Sequence, residues 1–238
     1  MPLKLFIVGL PGSGKSAMSR HIAEFVGQQF WLDAGCHWST KRFNDYPILH
    51  TMFRDDNEGK RFEPAQPGGF NVLDFGAFDD ALKLLGNWIT WHITSKHAHP
   101  QEILLIEFAR NDYRIAFQQF KRELLQDAYF IYLGSEVKVC QQRICERAAH
   151  PENEDDDYPV SDHIFKTYYH SDNGSDFLDI LVQEFGIAKD QVLALDKDRS
   201  LQDVQREVEN FVVQMPGLSA CAMLASKQTD KLVMSAPV

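Results

Sequence analysis

Cysteine is scarce in this sequence. Only Cys36, Cys140, Cys145 and Cys221 occur among 238 residues. They are too few and too scattered for a disulfide framework in a chain of this length, so a reducing cytoplasm is the expected location. Long apolar runs are missing too. No stretch reaches the roughly 18 consecutive apolar residues of a membrane-spanning helix, so no membrane partner is expected. The first apolar stretch, about six residues long, runs straight into a glycine loop, which is unlike a secretory leader. Positive charge is in deficit: 24 Lys and Arg stand against 34 Asp and Glu, a net charge of −10. A domain that grips a nucleic-acid polymer draws much of its affinity from a basic stripe, and none is present here. Small anions remain possible ligands, because a few well-placed cations suffice for them.

What is present is an alternation of apolar runs with helical periodicities. LKLFIVG (3–9) reads as a fully buried strand ended by glycine. Met18, Ile22, Phe25 and Val26 then recur at helical spacing, with Gly27 as a stop signal. QFWLDAG (29–35) reads as a second strand ending at Asp33, and EILLIEFA (102–109), AYFIYLG (128–134) and QVLALD (191–196) as three more. Helical patterns cover about 77–96, 113–126, 135–147, 161–170, 175–186 and 201–213. Strands alternating with helices imply an α/β fold, with five parallel strands covered by helices on both faces. Two stretches interrupt the pattern, at about 36–70 and 149–172, and residues 215–238 read as a loose tail after a domain spanning 1–214. Both interruptions follow the C-terminal side of the sheet, the edge where open α/β folds bind ligands.

The most specific feature is GLPGSGKS, from Gly9 to Ser16, which satisfies GxxxxGK[ST] through Gly9, Gly14, Lys15 and Ser16. Each residue type has a reason. Glycines let successive backbone N–H groups converge on phosphate oxygens, and the helix that follows adds its N-terminal dipole. In this motif the lysine is the cation for the β and γ phosphates and the Ser hydroxyl can hold Mg²⁺. Gly9, Leu10, Pro11, Gly12, Ser13, Gly14, Lys15, Ser16 and Ala17 are therefore the expected nucleotide contacts, with ATP and Mg²⁺ as ligands. Placement after a buried strand and before an amphipathic helix is the context the motif requires. Guanine recognition finds no support: Asp196-Lys197-Asp198 lacks the asparagine and spacing of N-K-x-D, and the DxxG text Asp56-Asn57-Glu58-Gly59 lies in a polar loop.

With these residues in place, the chain resembles the P-loop small-molecule and nucleoside monophosphate kinases over roughly residues 3–213. Two weaker stretches agree in position. IEFAR (106–110) closes the third strand where the nucleotide monophosphate kinases carry an acid and then an arginine toward the acceptor. QQRICER (141–147) resembles the start of their lid. Arg143 and Arg147, at i and i+4, lie on one helical face and can converge on one anion. The resemblance implies transfer of the γ-phosphate of ATP to a small molecule, with Lys15, Arg143 and Arg147 stabilising charge on the transferred group. It also implies a carboxylate at the end of the second strand that orients or deprotonates the acceptor hydroxyl. Asp33 takes that place, with Glu107 as the competing acid and Asp74 a third, while Arg42 and Arg110 are the candidate anion clamps. A nucleoside or nucleotide acceptor, or an ATP-binding regulatory protein with no metabolite acceptor, stay open as alternatives. The sequence departs from adenylate kinases in having no arginine between Arg147 and Arg199, only Lys166, and in an acidic lid stretch of Glu152, Glu154, Asp155, Asp156 and Asp157.

The remaining candidates point to structure. Cys36 and His37 supply no tetrahedral metal set, and Cys140 and Cys145, five apart, face different sides of a helix. His92, His97 and His99 are expected in solvent near a helix end, and Trp31, Trp38, Trp88 and Trp91 in the core or a pocket wall.

Overall fold

The computed structural model describes residues 1–34, 37–65, 69–96, 98–149, 160–195 and 199–219, with side chains left aside at 29–34, 148 and 149. The acidic stretch 152–157 and residues 220–238 lie outside the described residues. Among the described residues, no helix is long and apolar enough to cross a membrane.

Five parallel strands form the main sheet: β1 (Leu3–Val8), β2 (Ser39–Asn44), β5 (Glu102–Phe108), β6 (Ala128–Leu133) and β7 (Val192–Leu195), in the order β2-β5-β1-β6-β7. The central strands are apolar on both faces, as a sheet covered on both sides requires. Leu5 and Ile7 of β1 point toward α1 (Lys15–Ala34) and α9 (Leu201–Val213), where they join Ile22, Val26, Val208 and Val212. Phe6 and Val8 point the other way. There they pack with Phe108, Phe117 and Phe130 and with Leu82, Leu85 and Ile89 of α3 (Gly76–Thr94). Phe6 alone contacts four other phenylalanine rings, at centroid distances of 5.2–6.3 Å. The result is the three-layer α/β sandwich expected from the alternation.

Smaller elements complete the fold. α2 (Tyr46–Asp55) leads from β2 into an antiparallel hairpin of β3 (Phe62–Pro64) and β4 (Phe70–Val72). After β5 come α4 (Tyr113–Gln118) and α5 (Arg122–Leu125), and after β6 comes α6 (Val137–Ala149). α7 (Asp162–Thr167) and a helical stretch containing α8 (Phe177–Asp179) lead to β7. The crossover leaving β1 runs to β2 on one side, and that leaving its neighbour β5 runs to β6 on the other. That divergence opens a crevice at the switch point, where open α/β sheets bind ligands.

Four of the five expected strands are in place, and the second is not. Residues 29–34 belong to α1, which continues through Gly27 to Ala34. The edge strand is STKRFN, 39–44, inside the stretch expected as the first insert. Asp33 therefore closes no strand. At a rise of about 1.5 Å per residue, the helix carries it roughly 27 Å along the axis from Lys15. The wrong reading has a physical cause. An edge strand hydrogen-bonds on one side only and, apart from Phe43, this one buries little, so nothing forces an apolar run. Three further expectations change. His92 is buried on α3, where its Nε2 lies 2.7 Å from Glu102 Oε2. Trp88 and Trp91 lie on the outer face of α3, 53% and 65% exposed. Met215 and Leu218, within the expected tail, are fully buried against the α1–α9 face. His97 lies outside the described residues, as does the side chain of Trp31, while Trp38 packs at the rim of that same face.

Candidate active site

The glycine loop turns tightly between β1 and α1. Ser13 N donates to Leu10 O at 3.0 Å, and Met18 N donates to Gly14 O at 2.9 Å. The first N–H groups of α1 have no carbonyl within the helix to bond, so they face the loop as a set of donors. Gly12 has φ +81°, and a Cβ there would sit 2.4 Å from the Cys140 carbonyl oxygen, so only glycine lets the loop lie against α6. Gly14 needs its hydrogen side chain for conformation alone: φ is +100° and no atom lies within 4 Å of the Cβ position.

Lys15 folds back over this cradle, its Nζ donating to Gly9 O at 2.9 Å and Leu10 O at 2.8 Å. Desolvation lowers its pKa from 10.5 to about 8, a fall that the nearby charges of Glu107, Cys140 and Asp45 oppose and that of Arg147 assists. Such a lysine is primed for an anion, since the loop carbonyls offer it only partial charges. Beside it, Ser16 Oγ donates to Glu107 Oε2 at 2.9 Å, and Arg42 Nε pairs with Glu107 Oε1 at 2.9 Å. Register explains the grouping. Glu107 of β5 lies between Ile7 of β1 and Asn44 of β2, one position short of the strand's end. A hydroxyl and a carboxylate side by side at the mouth of a phosphate cradle suit a hard divalent cation that keeps much of its water, as Mg²⁺ does.

The opposite face of β2 brings a second acid. Asp45 follows the strand's last residue and is buried, with Oδ2 2.6 Å from Arg110 NH1. Arg110 is 2% exposed. It donates to the carbonyls of Ala109 and Phe78 and packs its guanidinium over the Phe78 ring at 4.9 Å. One cavity of about 600 Å³ joins these groups. Its phosphate end holds the loop, Lys15, Arg20 and Arg42, with Arg143 and Arg147 coming in from α6. Arg143 NH1 lies 3.5 Å from Gly12 O, which ties α6 to the cradle. The far end is lined by Tyr46, Leu49, Phe70, Val72, Phe78 and Ile164.

The structure thus brings together Lys15, Ser16, Arg42, Glu107, Arg110, Arg143 and Arg147, whereas the backbone of Asp33 lies in the last turn of α1, at the opposite end of that helix from the cradle. Asp74 lies apart as well, bonded to Arg61 and to the start of α3. Arg42 and Arg110 are each held by a carboxylate. Sequence reasoning missed Asp45, Asn44, Arg20 and the aromatic wall. A signal for Asp45 existed: a lone acid directly before the Tyr-Pro that opens α2, since proline is favoured in a helix's first turn. Among the described residues no group of three or more His, Cys, Asp and Glu forms a metal cluster.

No protein-family model matches this chain, and no curated protein matches it in sequence. Solved structures do match in fold. Kti12 from Chaetomium thermophilum, solved in complex with ADP-AlF3, aligns with a TM-score of 0.52 at 12% identity, covering 89% of this chain and 98% of that one. An unliganded sugar kinase from Janibacter gives a TM-score of 0.51 at 11% identity, covering 92% and 98%. A gluconokinase from Sinorhizobium meliloti gives 0.48 at 18% identity, covering 97% of each chain. The fold is that of the P-loop kinases.

Proposed function

We propose that the protein is a phosphotransferase that moves the γ-phosphate of ATP to a hydroxyl of a small molecule. The observation that carries this reading is the shared cavity. The cradle with Lys15 at one end shares its cavity with a buried carboxylate, Asp45, at the end of β2, and two arginines of α6 line the same cavity. A nucleotide switch needs the first of these parts and has no use for the second.

In the reaction, the acceptor oxygen attacks the γ-phosphorus, the bond from that phosphorus to the β–γ bridging oxygen breaks, and ADP leaves. Asp45 orients the hydroxyl and takes its proton, and Arg110 holds that carboxylate in place. Lys15, Arg143 and Arg147 carry the charge that spreads over the phosphoryl oxygens. Ser16 and Glu107 would hold Mg²⁺, which when bound neutralises charge on the β and γ phosphates.

Two measurements test this reading. Lys15→Ala should abolish most of the thermal stabilisation by ATP while leaving the free protein folded, because it removes a desolvated charge that the unliganded fold holds only through two loop carbonyls. An unchanged ATP-induced shift would overturn the cradle's role. The second is a pH series. Because the Lys15 pKa is lowered to about 8, the free protein sheds this proton as pH rises through that value, and a bound triphosphate calls it back. ATP binding is therefore expected to take up close to one proton near pH 9 and to weaken by about tenfold between pH 7 and 9. Calorimetry in buffers of different ionisation enthalpy reads the uptake directly, and zero uptake would contradict the assignment. The same shift has a sign for the unliganded fold. The unfolded chain holds this proton longer, so the Lys15 contribution to stability improves as pH rises from about 8 toward 10.5.

A further inference from the structure

The chemistry of the cavity's far end narrows the acceptor, on the footing of the phosphotransfer reading above. Positive charge at that end is already committed. Arg110 is paired with Asp45 at 2.6 Å, and that carboxylate belongs to the proposed machinery. An anionic acceptor would have to break this pair to find a cation there, leaving a carboxylate buried and uncompensated.

The walls narrow it again. Phe70 and Tyr46 stack at 5.8 Å with 27° between their planes, and Phe53 stacks behind Phe70 at 5.1 Å. Phe78, also in the lining, is held in place by Arg110 and by Tyr168 at 4.4 Å. Leu49, Val72 and Ile164 add further apolar lining. A sugar or polyol placed here would bury hydroxyls against carbon, and each one left unpaired weakens binding by about tenfold. A flat unsaturated ring would lose little and gain stacking.

Two buried polar atoms of the cavity's lining lack partners, one on each face of the sheet edge. Arg110 Nε, on a side chain 2% exposed, is a buried donor with no hydrogen bond, and Asn44 Oδ1 is a buried acceptor with none. Buried groups of this kind are satisfied in most folded proteins. Here both belong to residues that line the cavity. Together they ask for a ligand edge that both accepts and donates, as a lactam, an amino-imine edge or a hydroxyl does.

We propose that the acceptor is an uncharged hydroxyl compound built on a flat unsaturated ring with a polar edge, of the nucleoside class. The stacked rings of Tyr46, Phe70 and Phe78 hold the ring, Asn44 and Arg110 read its edge, and Asp45 receives its hydroxyl.

The test uses the full chain with ATP and Mg²⁺ and three acceptor sets. They are neutral nucleosides (adenosine, guanosine, cytidine, thymidine), neutral sugars (glucose, ribose) and anionic acids (gluconate, shikimate). Coupled ADP release is expected to rise at least about tenfold over the acceptor-free rate with one or more nucleosides and with neither other set, the margin that one unpaired buried hydroxyl produces. Stimulation by a sugar or an acid with no response to any nucleoside would overturn the proposal and leave phosphotransfer standing.

Direct nucleoside binding, measured by calorimetry on the protein loaded with a non-hydrolysable ATP analogue, separates the two readings. Nucleoside binding without transfer supports the pocket assignment and overturns phosphotransfer; no nucleoside binding overturns the assignment. Phe70→Ala should raise the acceptor KM by about 10- to 100-fold, the range for losing one stacking ring, with the ATP KM little changed. If that variant does not fold, Phe70→Leu keeps the apolar bulk without the ring and should move the acceptor KM in the same direction. An unchanged acceptor KM in whichever variant folds would overturn the proposal.

Discussion

Asp45→Asn should lower kcat by about 10²- to 10⁴-fold, the range for a lost general base, while ATP affinity stays near wild type. The substitution keeps shape and one hydrogen-bonding oxygen but removes the charge opposite Arg110, 2.6 Å away in the buried interior. Removing one partner of a buried ion pair typically costs about 3–5 kcal/mol, so the variant should also unfold at lower denaturant. The remaining bonds of Arg110 to the Ala109 and Phe78 carbonyls soften that loss. The two effects separate experimentally. Stability is read by urea titration, and turnover at a temperature where the variant is fully folded. A purely structural Asp45 would give destabilisation with kcat preserved in the folded fraction, and the acceptor role would then pass to Glu107. Glu107 is the weaker candidate, because its oxygens already engage Ser16 Oγ and Arg42 Nε on the α1 side of the sheet.

Asp45 also shows which parts of this protein can be read from sequence. The phosphate cradle is legible because its chemistry is local: a buried strand, a run of glycines and a helix start lie within fourteen residues, from Leu3 to Ser16. The central strands are legible because burial on both faces demands continuous apolar text, as in EILLIEF. Edge strand β2 escapes this logic. Its alternation places Arg42 and Asn44 on one face and Phe43 and Asp45 on the other, and only Phe43 is obliged to be apolar. The apolar residues of α1 then supplied a more convincing strand ten residues too early, and the acceptor acid was sought there. An acid does follow the second strand of the structure directly, Asp45 after Asn44.

Other misreadings share a cause. The buried position of His92 rests on Glu102, ten residues away in sequence and brought within 2.7 Å by the turn from α3 into β5. The aromatic wall joins residues from α2, the β3–β4 hairpin and α3, and no local period announces it. The exposed Trp88 and Trp91 follow the 3.6-residue period of α3, on its outer side, away from the sheet. Residue type alone put them inside. The pairing of Arg42 and Arg110 with carboxylates likewise depends on strand register and burial.

The arginines of α6 carry the other large expected effect. Arg147→Ala should depress kcat by about 10³-fold, or roughly 4 kcal/mol of barrier, by analogy with arginine fingers. Arg147 lines the cavity, and its charge helps lower the pKa of Lys15, which places the two cations close enough to act on one anion. If Arg147 stabilises charge that appears only as the phosphoryl group moves, the loss belongs to kcat, and ATP affinity should change several-fold at most. Relief of its repulsion on Lys15 should even raise the lysine pKa in the free protein, moving the onset of alkaline ATP weakening upward from about pH 8. Arg143→Ala should cost less, since Arg143 is exposed and sits 3.5 Å from the Gly12 carbonyl at the rim. Steady-state ADP release with a stimulating acceptor, alongside ATP titrations of each variant, decides among these outcomes. Full kcat in Arg147→Ala would remove α6 from the chemistry and leave its arginines as binding groups for the nucleotide alone. Loss of ATP affinity in proportion to kcat would also reduce them to binding groups, since the interaction would then be as strong in the ground state as at the barrier.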